Sequence, residues 1–271
     1  MDIHIAIAAE TLGHFLGLTI TNSFLTSIIV VTIILAYAFM TGKSLKLKKP
    51  GKNQTIVEII TTGLYSLSLS ILGKKHSKAY FPIIFSFFIF ILMSNWFGLL
   101  PFVNGIKYTP QTKIEETIEG KEIHKAEAMH LFRAPTSDLN TTLAVAIVSV
   151  FLIQFAAIKE LGIGNYSGKF FNFKVVKKGV MGYFEAGINS FVGILELLSE
   201  FTKIISFAFR LFGNIFAGEV LIIVISALTY SLGTLPFLGL EIFVGLIQAF
   251  VFTMLTLVFL SVSISSHNNS H

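Results

Sequence analysis

From residue 180 to about residue 231 the chain is apolar, with one exception. The stretch from Glu196 to Glu219 lies inside that run and carries five ionisable side chains: Glu196, Glu200, Lys203, Arg210 and Glu219. An Arg or Lys at the centre of a bilayer costs about 2.5–3.5 kcal/mol on insertion scales. A chain can place such residues there only by turning them towards protein or towards a water-filled path. The surrounding composition makes a bilayer the relevant solvent. The 271 residues are 54% apolar and 13% charged, and the mean hydropathy is +0.78. Soluble domains carry about twice that charge. The sequence is that of a single polytopic membrane domain over residues 1–271, all-α in its membrane part.

Several function classes drop out. There is no Cys, so disulfides, thiol chemistry and Cys-ligated metals are excluded. The seven His residues show no HExxH or similar ligand spacing, and no Walker-type Gly-rich loop occurs, so no metal or cofactor is expected. The net charge of +5 does not point to nucleic acid. The Lys residues flank apolar spans, which reads as a topology signal. The N-terminus lacks the basic start of a signal peptide, so the first span is expected to direct insertion.

The chain divides readily. Residues 1–22 hold Asp2, His4, Glu10 and His14 but no Lys or Arg, and 23–41 form a first span. Lys43, Lys46, Lys48, Lys49 and Lys52 follow. Residues 55–72 are rich in Thr and Ser, and Lys74, Lys75 and Lys78 come next. Residues 79–103 span again and end in Asn95-Trp96-Phe97-Gly98-Leu99-Leu100-Pro101, where a lone Trp suits an interfacial anchor. Residues 104–137 are polar and are expected to be a solvated charged loop with i,i+4 pairs. Spans at 139–158, 190–230 and 237–264 complete the set. If 55–72 lies on the inner interface, 13 basic residues collect inside and 5 outside. The positive-inside rule favours that arrangement. It predicts five membrane-embedded helices plus one amphipathic interface helix, with the N-terminal segment 1–22 and the 104–137 loop outside and the C-terminus cytoplasmic. Before the third of these spans, Pro135 with Ser137 and Asp138 marks a helix start.

On a helical wheel Glu196, Ser199, Lys203, Ser206 and Asn214 all lie within about 40° of Arg210. Glu219 lies about 180° away. A polar stripe therefore runs along one face, and Glu219 faces something else. Gly213, Ala217 and Gly218 permit close approach of another helix. A structural salt-bridge network is one reading. It is weakened by distance: Glu196 is about 21 Å and Glu200 about 15 Å from Arg210 along the axis. No acid sits at i±3 or i±4 of Arg210, so it wants a carboxylate from elsewhere. The last span carries Glu241 and Gln248 on one face. In an antiparallel hairpin of 180–264, Arg210 lies level with Gln248 and Glu219 with Glu241, while Ser199 meets Ser261 and Thr202 meets Thr256. A single helix over 180–230 is about 75 Å long, against a hydrocarbon core of about 30 Å. It must break, begin outside the membrane or incline steeply.

The run Phe209-Arg210-Leu211-Phe212-Gly213-Asn214-Ile215-Phe216-Ala217-Gly218-Glu219, with Leu246-Ile247-Gln248-Ala249-Phe250, resembles subunit a of the F-type ATP synthases, of the bacterial type. Asn95 to Pro101 and Pro135 to Asn140 resemble the same family. The resemblance implies a non-catalytic stator in the bacterial plasma (inner) membrane. Its partners would be a rotating c-subunit ring, the peripheral-stalk b subunits, the rest of the ATP synthase and lipid. It implies two long, strongly inclined, antiparallel final helices. The family's essential arginine corresponds to Arg210. Asn214, Glu219, Glu241 and Gln248 correspond to an outer half-channel, and Glu196, Ser199 and Ser206 to a cytoplasmic one. Some members pair a His with a Glu at the two outer positions, whereas here Glu219 and Glu241 are both acidic. Two close acids are expected to titrate as a pair.

The chemistry is coherent. A ring carboxylic acid stays neutral in lipid and ionises on meeting a fixed cation. Arg cannot give up its own proton, so it also bars direct passage between the half-channels. A secondary transporter with a midplane anion site at Arg210 is the alternative, and it predicts inverted repeats. A membrane-embedded enzyme and a structural bundle remain as further readings.

Overall fold

The structure is a computed structural model that describes residues 9–15, 17–43, 45–46, 51–101, 103, 106–108, 114–118, 121–125, 129–164, 166, 180–229 and 233–265. Five helices dominate it: α1 (Asn22–Lys43), α2 (Lys52–Gly98), α3 (Leu139–Leu161), α4 (Val180–Leu228) and α5 (Thr234–Ser265). Each holds a stretch long and apolar enough to cross a membrane. The fold is a multi-spanning all-α bundle with an additional interface helix, the first half of α2. Small antiparallel ribbons decorate it: β1 (Thr11–Phe15) with β2 (Leu18–Thr21), β3 (Lys107–Tyr108) with β6 (Met129–His130), and β4 (Ile114–Ile118) with β5 (Lys121–Lys125).

α2 is 47 residues long and breaks at Gly73, where φ is 72° and ψ is 168°. Only Gly adopts that conformation without strain. The turn is sharp. Tyr65 and Phe81 would lie about 24 Å apart on a straight helix, yet their ring centroids are 5.0 Å apart. Ser68 donates its hydroxyl hydrogen to Ser77 across the bend at 3.0 Å. Leu64, Ser68 and Leu72 recur at intervals of four and are buried, whereas Ile56 and Ile59 point outwards. That single buried face is what the amphipathic segment 55–72 required.

α4 runs for 49 residues without a break, or about 74 Å at 1.5 Å per residue. Breaking is thereby removed from the three options for its length. α5 starts at Thr234, three residues before the expected span. Pro236 is tolerated there because the first N–H groups of a helix need no intrahelical acceptor.

In lipid, apolar side chains gain nothing from leaving the solvent, so small residues and interhelical hydrogen bonds hold the bundle. α5 packs on α2, α3 and α4. Ala146, Ala156, Ala208 and Ala249 are fully buried at these contacts. Phe207 stacks near Phe252 at 4.8 Å, and Leu211 and Val150 join the same core. Ser149 and Thr256 share a hydrogen bond of 3.0 Å, and Ser261 donates to the Ile71 carbonyl at 3.1 Å. The expected Ser199–Ser261 and Thr202–Thr256 matches are thus matches of depth, in the register of the Phe207–Phe252 contact, and not hydrogen bonds. Thr256 and Ser261 turn to α3 and α2, and Thr202 bonds back to the Leu198 carbonyl on its own helix.

The other end of the bundle is tied by polar contacts. Asp138 caps α3 by accepting from the Asn140 N–H at 3.1 Å, and it takes the Ser23 hydroxyl at 2.6 Å. Glu10 accepts from the His130 N–H, and Asn22 donates to the His130 carbonyl. The N-terminal ribbon and the end of the 104–137 loop thus lie on one side, as the charge bias requires. Within that loop, β4 and β5 replace the expected helical i,i+4 pairs. Ile and Thr in the paired runs favour extended structure over the helix that the charge spacing suggested.

Candidate functional site

The polar residues of α4 divide between two faces. Arg210 is half-buried, and one of its Nη groups donates to the Ser206 hydroxyl at 3.2 Å. Its other Nη is buried with no hydrogen-bond partner. Among the described residues no carboxylate pairs with it. Around it α4 presents an exposed apolar surface that includes Phe201, Ile205 and Phe209, and α5 continues it with Phe243, Leu246, Ile247 and Phe250. Ser199, Ser206 and Asn214 are exposed on α4 as well.

Glu219 faces the other way. It lines a cavity with room for about 50 Å³ of solvent, together with Asn95, Gly98, Ala134, Ile215 and Glu241. Glu241 is 5% exposed. Its carboxyl group packs directly on Gly218, where a Cβ would overlap it. A second, more open groove of about 370 Å³ is lined by Asn214, Gly218, Glu241 and Gln248. Glu241 borders both spaces. The Gly218–Glu241 and Phe207–Phe252 contacts carry the register that sets Glu219 level with Glu241 and Arg210 level with Gln248.

The geometry of α5 is held from α2. Asn95 donates to the Gly245 carbonyl at 3.0 Å and accepts from Thr136 at 2.7 Å. Trp96 donates from its indole to the Ile242 carbonyl at 3.1 Å. A Cβ on Gly245 would stand 3.1 Å from the Asn95 Cβ, so Gly245 allows this approach.

At the opposite end of α4, Glu200 pairs with Lys203 at 2.6 Å and accepts from Gln154 of α3. Gln154 in turn accepts from the Tyr166 hydroxyl. Burial, then the charges of Glu200 and Glu196, push the Tyr166 phenol above its ordinary value of 10.0. It stays a protonated donor. Glu196 is half-buried nearby. The acids that spacing alone offered as partners for Arg210 are therefore engaged elsewhere.

The family model described as ATP synthase A chain matches residues 24–261. The chain belongs to the ATP synthase subunit a family. ATP synthase subunit a of Desulforamulus reducens is 31% identical over 267 residues, covering 95% of this chain and 85% of the relative. Subunit a of Gloeobacter violaceus is 26% identical over 250 residues, covering 92% and 86%. The chloroplastic subunit a of Bigelowiella natans is 29% identical over 249 residues, covering 91% and 87%. As a member of this family the chain is a multi-pass, ion-translocating and non-catalytic subunit of a rotary ATP synthase.

Sequence reasoning missed Arg133. This residue is 6% exposed, and its Nε lies 3.8 Å from the Glu219 carboxylate while donating to Ser137 at 3.0 Å. It comes from the polar loop, just before the helix start marked by Pro135, Ser137 and Asp138. A signal was present. The chain has two arginines against eighteen lysines; Arg210 lies on α4 and Arg133 lies against it. Arg keeps its charge in a low-dielectric site where Lys can lose it.

Proposed function

We propose that the chain is the stator of the membrane motor, with two offset half-channels that carry protons to and from carboxylates on a rotating c-subunit ring. Arg210 is the fixed cation between them. The observation that carries this reading is Arg210 itself, half-buried on an uncovered apolar face, with no carboxylate partner among the described residues. A buried guanidinium without an anion is costly, and a ring carboxylate supplies one transiently at each step. The exposed apolar surface of α4 and α5 around it suits a partner whose own face is apolar except for one acid.

Asn214, Glu219, Glu241 and Gln248 then serve the outer half-channel, since they border the two spaces at that end. Glu196, Ser199 and Ser206 serve the cytoplasmic one. A proton entering from outside neutralises a ring carboxylate, which can then enter lipid. After nearly a full turn the acid comes to the cytoplasmic side of Arg210, ionises and releases its proton. The membrane potential contributes about 2.3 kcal/mol per charge per 100 mV. In this reading the peripheral-stalk b subunits hold the chain against rotation. The N-terminus is outside and the C-terminus cytoplasmic in a bacterial plasma membrane.

The test is Arg210→Ala in the assembled complex. Proton-driven ATP synthesis in membrane vesicles is expected to be lost. Synthesis at the wild-type rate would overturn the proposal.

A further inference from the structure

The two outer acids are not equivalent. Glu219 has a cation: Arg133 approaches to 3.8 Å from the segment that leads into the turn at Pro135–Ser137. Among the described residues Glu241 makes no hydrogen bond or ion pair, although its carboxyl group is buried and borders both the cavity and the groove. The groups facing this pair come from every neighbouring element. They are Ala134 from the loop, Asn95, Gly98 and Leu99 from α2, Ile215 and Ile222 from α4 and Leu238 from α5 in the cavity, Asn214 and Gln248 on the groove side, and Arg133 of the loop against Glu219. Arg133 is the one charged group among these other than the two acids.

We infer that Arg133 is a positioning residue that makes Glu219 a static counter-ion, leaving Glu241 as the acid that passes protons across the outer half-channel. This inference rests on the half-channel reading above. A guanidinium cannot release its proton, so the anion beside it stays an anion. Arg133 and Glu219 then sum to no net charge and do not compete for the moving proton. Each transfer is complete on Glu241: its carboxylate takes a proton from a hydronium ion on the outer side, one O–H bond breaking in that ion to leave water as one forms on Glu241, and the new bond breaks as the proton passes to the ring carboxylate. Glu219 keeps the same charge throughout. Arg133 is itself fixed from two sides. Its backbone N–H donates to the Thr26 hydroxyl at 3.3 Å and its Nε donates to Ser137.

The inference has a sharp signature. In Arg133→Gln, Glu219 is released to compete with Glu241 for protons. In Glu219→Gln, Arg133 keeps its charge while losing the Glu219 carboxylate, and that charge then favours the ionised form of Glu241. Either change disables Glu241, and making both together frees it again. The experiment is ATP-driven proton pumping by the full ATP synthase in inverted membrane vesicles, with ring copurification and ATP hydrolysis measured alongside. Each single variant is expected to lose about tenfold or more in pumping. Arg133→Gln/Glu219→Gln is expected to recover to within about threefold of wild type. Arg133→Lys, which keeps a cation, is expected to pump better than Arg133→Gln, and Glu241→Gln is expected to be inactive with either background.

A double variant no better than Glu219→Gln overturns the inference, because Glu219 is then needed for its own sake. Pumping by Glu241→Gln overturns it too. If Arg133→Gln fails to assemble, the double variant against Glu219→Gln alone still decides. Arg210→Ala in the same vesicles separates the two levels. Normal pumping there removes the half-channel reading itself, whereas an inactive Arg210→Ala beside an inactive double variant removes only the role given to Arg133.

Discussion

Gly218 offers a way to move the Glu241 carboxyl group without touching its chemistry. Gly218 is buried on α4, and a methyl group there meets the Cδ and both carboxylate oxygens of Glu241 well inside van der Waals range. Ordinary contact is about 3.5–4.0 Å, so in Gly218→Ala the carboxyl group must retreat by more than about 1 Å. The atoms displaced are the far end of a flexible side chain. Replacing Gly by Ala within a helix returns up to about 1 kcal/mol, so net stability is expected to change by less than about 1 kcal/mol. Positioned proton transfer is less forgiving, since a displacement of about 1 Å can cost about 100-fold. Gly218→Ala is therefore expected to assemble normally and to pump protons about 10- to 100-fold more slowly. The assay is ATP-driven pumping in vesicles, with ring copurification as the control for assembly. Adding Glu241→Asp, which is shorter by one methylene, is expected to restore part of the rate by making room for the new methyl group. Gly218→Ala that assembles and pumps at the wild-type rate would refute the reasoning, because the Glu241 carboxyl group would then not need its position.

Other outcomes follow from the same geometry. Arg210→Lys keeps a cation but one that can lose its proton, so proton-driven synthesis is expected to fall and passive proton leak through the vesicle membrane to rise. Asn95→Ala removes the buried link between Thr136 and the Gly245 carbonyl and is expected to cost about 1–3 kcal/mol in thermal unfolding of the purified complex. Gly73→Ala forces a side chain into a backbone conformation reserved for Gly, and a loss of about 1–3 kcal/mol is expected by the same measurement.

Much of this arrangement is readable in one dimension. Apolar runs of bilayer length give the five spans. Helical spacing alone puts Glu219 opposite Arg210, and its cavity lies there. The hairpin register followed from matching costly residues in depth, and the Gly218–Glu241 contact carries it. The Ser and Thr residues that match in depth are not hydrogen-bonded to each other, for a physical reason. Ser and Thr can satisfy themselves on a carbonyl one turn back, as Thr202 does, so they constrain register little. Arg133 was invisible for a different reason. It approaches α4 from a loop, and no period along the chain connects a loop residue to a helix face. The Tyr166–Gln154–Glu200 chain has the same origin, since Tyr166 follows the end of α3.

The contacts of Asn95 and Trp96 also have a mechanical meaning. A fluid bilayer has almost no resistance to slow shear in its plane, so lipid cannot hold a helix against a partner sliding past it. Any drag on the exposed side of α5 has to be borne by whatever stands behind that helix. Behind it are two side-chain donors from consecutive residues of α2, each gripping a backbone carbonyl, those of Gly245 and Ile242. Carbonyls cannot swing aside as side chains do. α5 is thus anchored by its backbone at the depth of Glu241, and α2 is the beam that takes the load.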